Sequence, residues 1–345
     1  MRYELEPLNK EELATWDERI AGYESTQLFH RQAWLDHIAE SHGVKIHQWA
    51  IRESGRTVGY FCAGVFTKGP FRILGSPLKG WASNFMGPVV NSNYDQDAFL
   101  RAIDELAASQ GIATLEIENP LLRDEQMVAK GYESVVQPTY VVKLTPYDEA
   151  PVWELVNPKA RQNVRKARRA GCTIVEASDP AMVEEFYDEF VEVLARKGLF
   201  PPYGRNVPRS LFKCLYPKGL LLPLQVKSPE GEVIATCLFP HDDKTIYYWC
   251  GGSRLSGWKY SPNDLIHWSA IEWGIKHGLT AYNMCGYGNF KSKFGGPLEN
   301  PRRYQKYYSI MARWGRAAYA TYQMTRIKTR GNWERITRRR GKEIA

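Results

Sequence analysis

The sequence predicts an α/β protein with mixed sheets, built as two copies of one domain and followed by a basic C-terminal helix. Two observations carry the duplication. Gly111 and Gly278 each close a helical segment and open a strand-like one, and 278 less 111 puts them 167 positions apart. At that offset Phe99, Ile103, Leu106 and Ala107 fall on Ile266, Ala270, Trp273 and Gly274, so both helices present the same i, i+4, i+7, i+8 face. Upstream of each helix lies a hairpin signal, GRTVGYFCA at 55–63 and GEVIATCLF at 231–239. The third observation is compositional: 345 residues, 43% hydrophobic and 24% charged, suffice for two cores, and no run reaches the roughly 18 apolar residues of a membrane span.

In order, residues 2–8 read as a strand, 10–22 as a helix and Gln27–Ser41 as an amphipathic helix ending at Gly43. Lys45–Ile51 and Thr57–Val65 form the first hairpin, and the Gly-, Pro- and Asn-rich stretch 67–94 holds short strands in long loops. The helix at 95–110 leads into strand Ala113–Ile117, and 131–144 contains another strand. The second copy opens with helix Pro180–Lys197 and a short helix at 208–215. Its hairpin pairs Leu221–Lys227 with Glu232–Pro240, Thr245–Cys250 is one further strand, a helix spans 262–277, and Tyr304–Met311 is the last strand.

Between the copies lies NPKARQNVRKARRAG, residues 157–171. Asn157 suits an N-cap, Pro158 the first helical position and Gly171 the position after the end. The helix carries six basic residues and no acid, with Arg161 and Arg165 on one face. Like charges at i, i+4 repel, so such a face favours a polyanionic partner over plain solvation.

The stretch Tyr282–Gly296, YNMCGYGNFKSKFGG, holds two lysines among aromatics and glycine pairs. Glycines admit close backbone approach, and an ammonium there can stabilise a developing oxyanion. Lys291 is the candidate for that role, with Lys293 as its alternate. Asp264 and Tyr287 are candidates for positioning an amine or moving a proton. Tyr260 joins them as a candidate substrate-binding residue beside the N-terminus of the 262–277 helix, where free N–H groups suit an anion. His241, His267 and His277 are scattered and read as packed or exposed rather than catalytic.

The segments ARQNVRKARRAG and NFKSKFGG resemble the R-x-x-x-R-K-A-x-x-x-G and F-K-x-x-F-G-G patterns of the FemAB/FemX-like peptidoglycan aminoacyltransferases, which are tandem GNAT-fold enzymes. The resemblance covers residues 1–312 and implies two GNAT-like acyl-CoA N-acyltransferase domains, at 1–150 and 151–312; the basic amphipathic tail at 313–345 lies beyond it. It implies Phe290 and Lys291 at the acyl-transfer centre, and Arg161 and Arg165 on the basic helix at the domain junction. The activity implied is transfer of an aminoacyl or acyl group to an amine of a cell-envelope precursor, with no bound cofactor and either aminoacyl-tRNA or acyl-CoA as donor. In place of the GNAT pyrophosphate loop, Q/R-x-x-G-x-G/A, the chain reads SRLSGWKYSPND, which favours a donor other than CoA. The alternatives are a CoA-dependent acetyl- or acyltransferase acting on a polysaccharide or lipid, and a non-catalytic nucleic-acid-binding protein.

Six cysteines without a C-x-x-C pair read as reduced thiols, and no zinc site is expected. The acidic N-terminal stretch is unlike a signal peptide, which predicts a cytoplasmic protein. Ten of the 46 Lys+Arg and two of the 38 Asp+Glu lie in 313–345, leaving 36 of each before it, so the whole excess charge sits in the tail. With Trp314 and Tyr322 among its bases, that tail fits the inner face of an anionic membrane carrying a lipid-linked precursor, or the phosphates of tRNA.

Overall fold

A computed structural model describes residues 2–316 and residue 318. Most of the basic tail expected at 313–345, Tyr322 included, lies outside the described residues. Within them the architecture is mixed α/β, with three sheets. The first hairpin pairs Lys45–Glu53 with Arg56–Lys68, and the second pairs Leu221–Lys227 with Val233–Pro240, each close to expectation. The two repeat helices are Gln96–Ser109 and Pro262–Lys276, and the faces aligned above are inward in both, with Trp273 alone half-exposed. The basic helix spans Pro158–Arg169; the Asn157 side chain accepts from the Lys159 N–H at 2.9 Å. Ala160, Val164 and Ala167 turn its narrow apolar side inward and leave the arginines outside.

Three expectations are corrected. The 10–22 segment is two short helices, Lys10–Ala14 and Trp16–Ile20, parted at Thr15. The last strand is Arg302–Tyr307 and ends earlier, because Ser309 Oγ accepts from the Ala312 N–H at 3.4 Å and residues 310–316 turn helical. Thr245–Cys250 is not one strand but parts of two, as described below.

The sheets do not divide at residue 150. Strand Thr139–Lys143 leaves the first half and pairs with Ala281–Asn283 and Leu298–Glu299 of the second. Reciprocally, Arg302–Tyr307 returns from the second half and lies between Ile112–Glu118 and Glu133–Val136 of the first. Each half thus completes the other's sheet. One apolar core also runs across both, including Phe29, Trp34, Phe186, Leu211 and Tyr247. Helix Gln32–His42 packs on helix Asn206–Leu215 there, with His37 Nδ1 and Ser210 Oγ 3.2 Å apart in the buried contact. Asp242 Oδ2 accepts from the Leu28 N–H at 2.8 Å.

Because the central position between two first-half strands belongs to Arg302–Tyr307, residues 1–150 expressed alone are expected to unfold without a cooperative transition and to bind a hydrophobic dye. A sharp, two-state melt of that fragment by circular dichroism would show that the exchange is dispensable.

Candidate active site

The second half's sheet splits between two adjacent residues. Thr245–Tyr247 runs parallel to Ala281–Asn283, and the Tyr248 N–H continues that pairing by donating to the Asn283 carbonyl at 2.9 Å. The next N–H, of Trp249, donates instead to the Leu238 carbonyl at 3.2 Å. From there Cys250–Ser253 pairs with Val233–Pro240 and forms the open edge of its sheet. In the first half, Phe71–Ser76 pairs on both sides, with Arg56–Lys68 and Ile112–Glu118, so that sheet stays closed.

Lys291 occupies the split. Its Nζ donates to the Met284 carbonyl at 2.6 Å and the Cys285 carbonyl at 3.3 Å, and lies 5.1 Å from the centre of the half-buried Tyr248 ring. Burial lowers its pKa from the ordinary lysine range. Among the described residues no carboxylate opposes that shift; the Cys285 and Cys250 thiols pull the other way, more weakly. An ammonium has three protons, so two carbonyls leave one for a ligand. Gly286, at φ +144°, is what allows this placement: a Cβ there would sit 2.9 Å from Lys291 Nζ.

The carbonyls are themselves held by the exchanged strand. Thr139 Oγ1 donates to Asn283 Oδ1 at 2.8 Å and accepts from the Gly286 N–H at 2.9 Å. Asn283 Oδ1 also accepts from the Cys285 N–H at 2.8 Å, and the Met284 N–H donates to the Tyr140 carbonyl at 2.9 Å. The turn that faces Lys291 is therefore fixed by residues the chain laid down in its first half. Gly296 closes the motif against the same strand, where a Cβ would meet the Val141 carbonyl at 2.4 Å.

The other expected site residues sort into three groups. Phe290, Lys293 and Asp264 stand close to Lys291 but are engaged in packing. The Phe290 ring lies 5.2 Å from His267 and 5.7 Å from Phe294, and Lys293 sits over it at 4.7 Å. Lys293 pairs with buried Asp264 at 3.3 Å, whose other oxygen accepts from Asn163 Nδ2 at 2.9 Å. That link ties the motif to the basic helix, so Lys293 and Asp264 hold elements together here. Arg161 and Arg165 lie apart on the outer side of the basic helix, with Arg165 5.5 Å over the Trp153 ring. Gln162, Arg165, Arg168 and Arg169 line an open cavity of about 460 Å³, and Arg168 is paired with Glu272 at 2.5 Å, an acid the helix's own sequence does not show. Tyr260 is directed to Glu230, donating at 3.0 Å.

Tyr287 stands exposed on the rim of a cavity of about 180 Å³ between the halves. Asn84, Phe85 and Glu118 line it from one side and Cys285–Tyr287 from the other, with Pro138 and Pro301, the residues that precede the exchanged strands, between them. Cys285 and Gly286 also border Lys291, so cavity and ammonium share a wall. Glu118, in LEIENP, is a site residue that sequence reasoning passes over. The repeat contains the signal: 118 plus 167 is 285, so Glu118 and Cys285 are equivalent positions. Glu118 is buried, paired with Arg303 at 2.7 Å, and its pKa is raised by burial against the pull of that arginine.

Two further buried groups flank the split. His267 Nδ1 and Tyr282 Oη are 2.5 Å apart, and burial lowers the histidine to about 3, so it is neutral and structural. Glu189 is fully buried, beside Thr236 and with Arg254 3.7 Å away, but neither of its oxygens has a well-formed hydrogen bond among the described residues. Burial raises its pKa to about 8.

No curated protein matches this sequence. Residues 158–294 match the family model of the acetyltransferase (GNAT) domain. Among solved structures the chain is similar to FemX, at 15% identity and a TM-score of 0.69 over 87% of this chain and 96% of that one. It is also similar to the L-PGS of Bacillus licheniformis (16%, TM-score 0.56, 93% and 98% covered). A tandem GNAT protein from the clavulanic acid biosynthesis pathway follows (13%, TM-score 0.53, 89% and 99% covered). The fold is thus that of a tandem GNAT protein. Its particular arrangement is FemX-like, along nearly the whole length of both chains.

Two outcomes test this geometry. Thr139→Val strands the Gly286 N–H and should cost about 1–3 kcal/mol in urea unfolding; no loss would mean that the turn holds itself. Glu189 binds a proton in the folded state up to pH about 8 but in the unfolded state only to about 4.5. Its contribution is therefore complete below the lower value and lost as pH rises through the upper one. The stability of wild type relative to Glu189→Gln should fall by up to ~1.4 kcal/mol per pH unit across that window. Parallel pH profiles would refute the assignment.

Proposed function

We propose that this protein is an acyltransferase of Fem type that passes an aminoacyl group, or another acyl group, to an amine of a cell-envelope precursor. Residues 1–150 and 151–312 are its two domains except for the exchanged strands Thr139–Lys143 and Arg302–Tyr307, and it works on the cytoplasmic side of the membrane. The observation that carries the reading is Lys291: a half-buried ammonium at a sheet split, held by two backbone carbonyls, with one proton left for a ligand. The fold shared with FemX and the GNAT domain at 158–294 support it.

In such a reaction the amine nitrogen attacks the acyl carbonyl, a C–N bond forms, and the C–O bond of an aminoacyl ester or the C–S bond of a thioester breaks. The carbonyl oxygen gains charge between these events. Lys291 is placed to donate to it from a half-buried position, and such a donor is worth more there than in bulk water. The cavity beside it receives the acceptor amine, and Glu118 is the carboxylate that meets an ammonium there. A carboxylate whose pKa is raised by burial takes up the amine's proton more readily. Phe290 keeps the motif against the core, and Lys293 with Asp264 fixes its approach to the basic helix. Arg161 and Arg165 lie on the outer arginine face, which suits the phosphates of an aminoacyl-tRNA donor. Tyr287, on the rim, is suited to contact the acceptor; Tyr260 is further from the chemistry and contacts a substrate only at the helix entrance.

Aminoacyl-tRNA is the favoured donor because the arginine face is present and the glycine-rich pyrophosphate loop is not. The test is transfer from charged tRNA and from acetyl-CoA to amine-bearing envelope precursors, read by mass. Lys291→Ala should lower the rate with the true donor about 10²–10³-fold. Transfer from acetyl-CoA alone would replace the donor; undiminished turnover by Lys291→Ala would remove the lysine from the mechanism.

A further inference from the structure

Where the described chain ends, it carries a surface the transfer site does not use. Residues 310–316 are helical and lie on the first sheet. At about 100° per residue, Ala312, Arg313, Gly315 and Arg316 share one side, and Ile310, Met311 and Trp314 share the other. The inner side is pinned. Arg313 pairs with Glu133 at 2.7 Å and lies over the Tyr307 ring at 5.9 Å. Arg316 pairs with the buried carboxylate of Glu116, Ala312 is buried, and a Cβ on Gly315 would meet the Phe71 ring at 3.2 Å. The outer side is open: Ile310 is 67% exposed, Met311 69% and Trp314 71%. Scattered exposed apolar residues need no explanation, but three adjacent large ones on a helix whose rotation is set by two ion pairs form a patch.

We propose that this face docks on an anionic lipid bilayer, with Ile310, Met311 and Trp314 entering the boundary between headgroups and acyl chains. Charge complementarity selects the occupant. Residues 319–345, which follow directly, contain eight Lys+Arg against two Asp+Glu, including Arg338, Arg339 and Arg340 in succession. Apolar anchors beside a basic segment are the two signals that together hold a protein on such a surface. RNA would use the basic residues and Trp314, but gives Ile310 and Met311 no role.

The docking also has a direction. Side chains alternate along a strand, so Glu116, which holds the helix, and Glu118, which lines the cavity, lie on one face of Ile112–Glu118. The helix and the cavity therefore open on the same face of the first sheet, and docking brings the cavity close to the bilayer. That last step rests on the proposed function, since it supposes an acceptor presented from the membrane; the docking itself does not.

The experiment is co-sedimentation of the full chain with vesicles of phosphatidylcholine, with and without phosphatidylglycerol, at physiological salt. Wild type should sediment with the anionic vesicles, and I310S/M311S/W314S should bind at least about tenfold more weakly while melting at the same temperature. Substituting Arg338, Arg339 and Arg340 by Gln should remove the preference for anionic over neutral vesicles. Equal binding by wild type and the triple variant would overturn the proposal, as would wild type that ignores vesicles and binds a single-stranded RNA. So would an apolar patch whose only effect is self-association by light scattering. Transfer between soluble substrates, measured in parallel, should be unchanged by the triple variant, so a failure of docking is separable from a failure of the transfer reading.

Discussion

A half-buried ammonium without a carboxylate partner among the described residues is costly to maintain, and the placement of Lys291 organises much of what surrounds it. Burial favours loss of its proton, and what holds it instead is a pair of backbone carbonyls, from Met284 and Cys285. Those carbonyls face it because the turn carrying them is tied by Thr139 and Asn283, and Thr139 is there because the first half sends its last strand into the second. The strand exchange is thus more than an architectural detail. It couples the integrity of two sheets to the aim of one side chain.

The duplication explains both what the halves share and where they part. Equivalent helices and hairpins recur, and equivalent strand ends, at Glu118 and Cys285, meet across one cavity. The second copy breaks its sheet, at Tyr248 and Trp249, and places a lysine in the opening. The first copy stays closed through Phe71–Ser76 and supplies a carboxylate instead. Two similar units have in this way become one asymmetric cleft, with a lysine from one half and a carboxylate from the other.

Much of this is legible in the chain. The repeat helices, both hairpins and the capped basic helix follow from local periodicity and capping residues, which act over a few positions and leave their mark in order. The lysine motif is legible for a similar reason: Gly286 has a positive φ beside the Lys291 ammonium, and Gly296 packs where a Cβ would meet the Val141 backbone. What local pattern does not encode is which strand pairs with which. Thr139–Lys143 and Arg302–Tyr307 read as ordinary strands, and nothing in their alternation says that they change partners. For that reason the sequence does not single out Glu118. Nor does it show that Asp264 claims Lys293, or that Glu272 neutralises Arg168 on an otherwise basic helix. The break between Tyr248 and Trp249 is equally silent, since Thr245–Cys250 has the composition of one continuous strand.

If the exchanged strand matters because it aims Lys291, the two must fail together. The decisive experiment is a double-mutant cycle on the single-turnover transfer rate, comparing Lys291→Ala, Thr139→Val and the pair. Adding Thr139→Val to Lys291→Ala is expected to lower the rate no further, because the threonine then has nothing left to position. Losses that multiply, each variant exacting its full cost in the presence of the other, would mean that strand and lysine act independently.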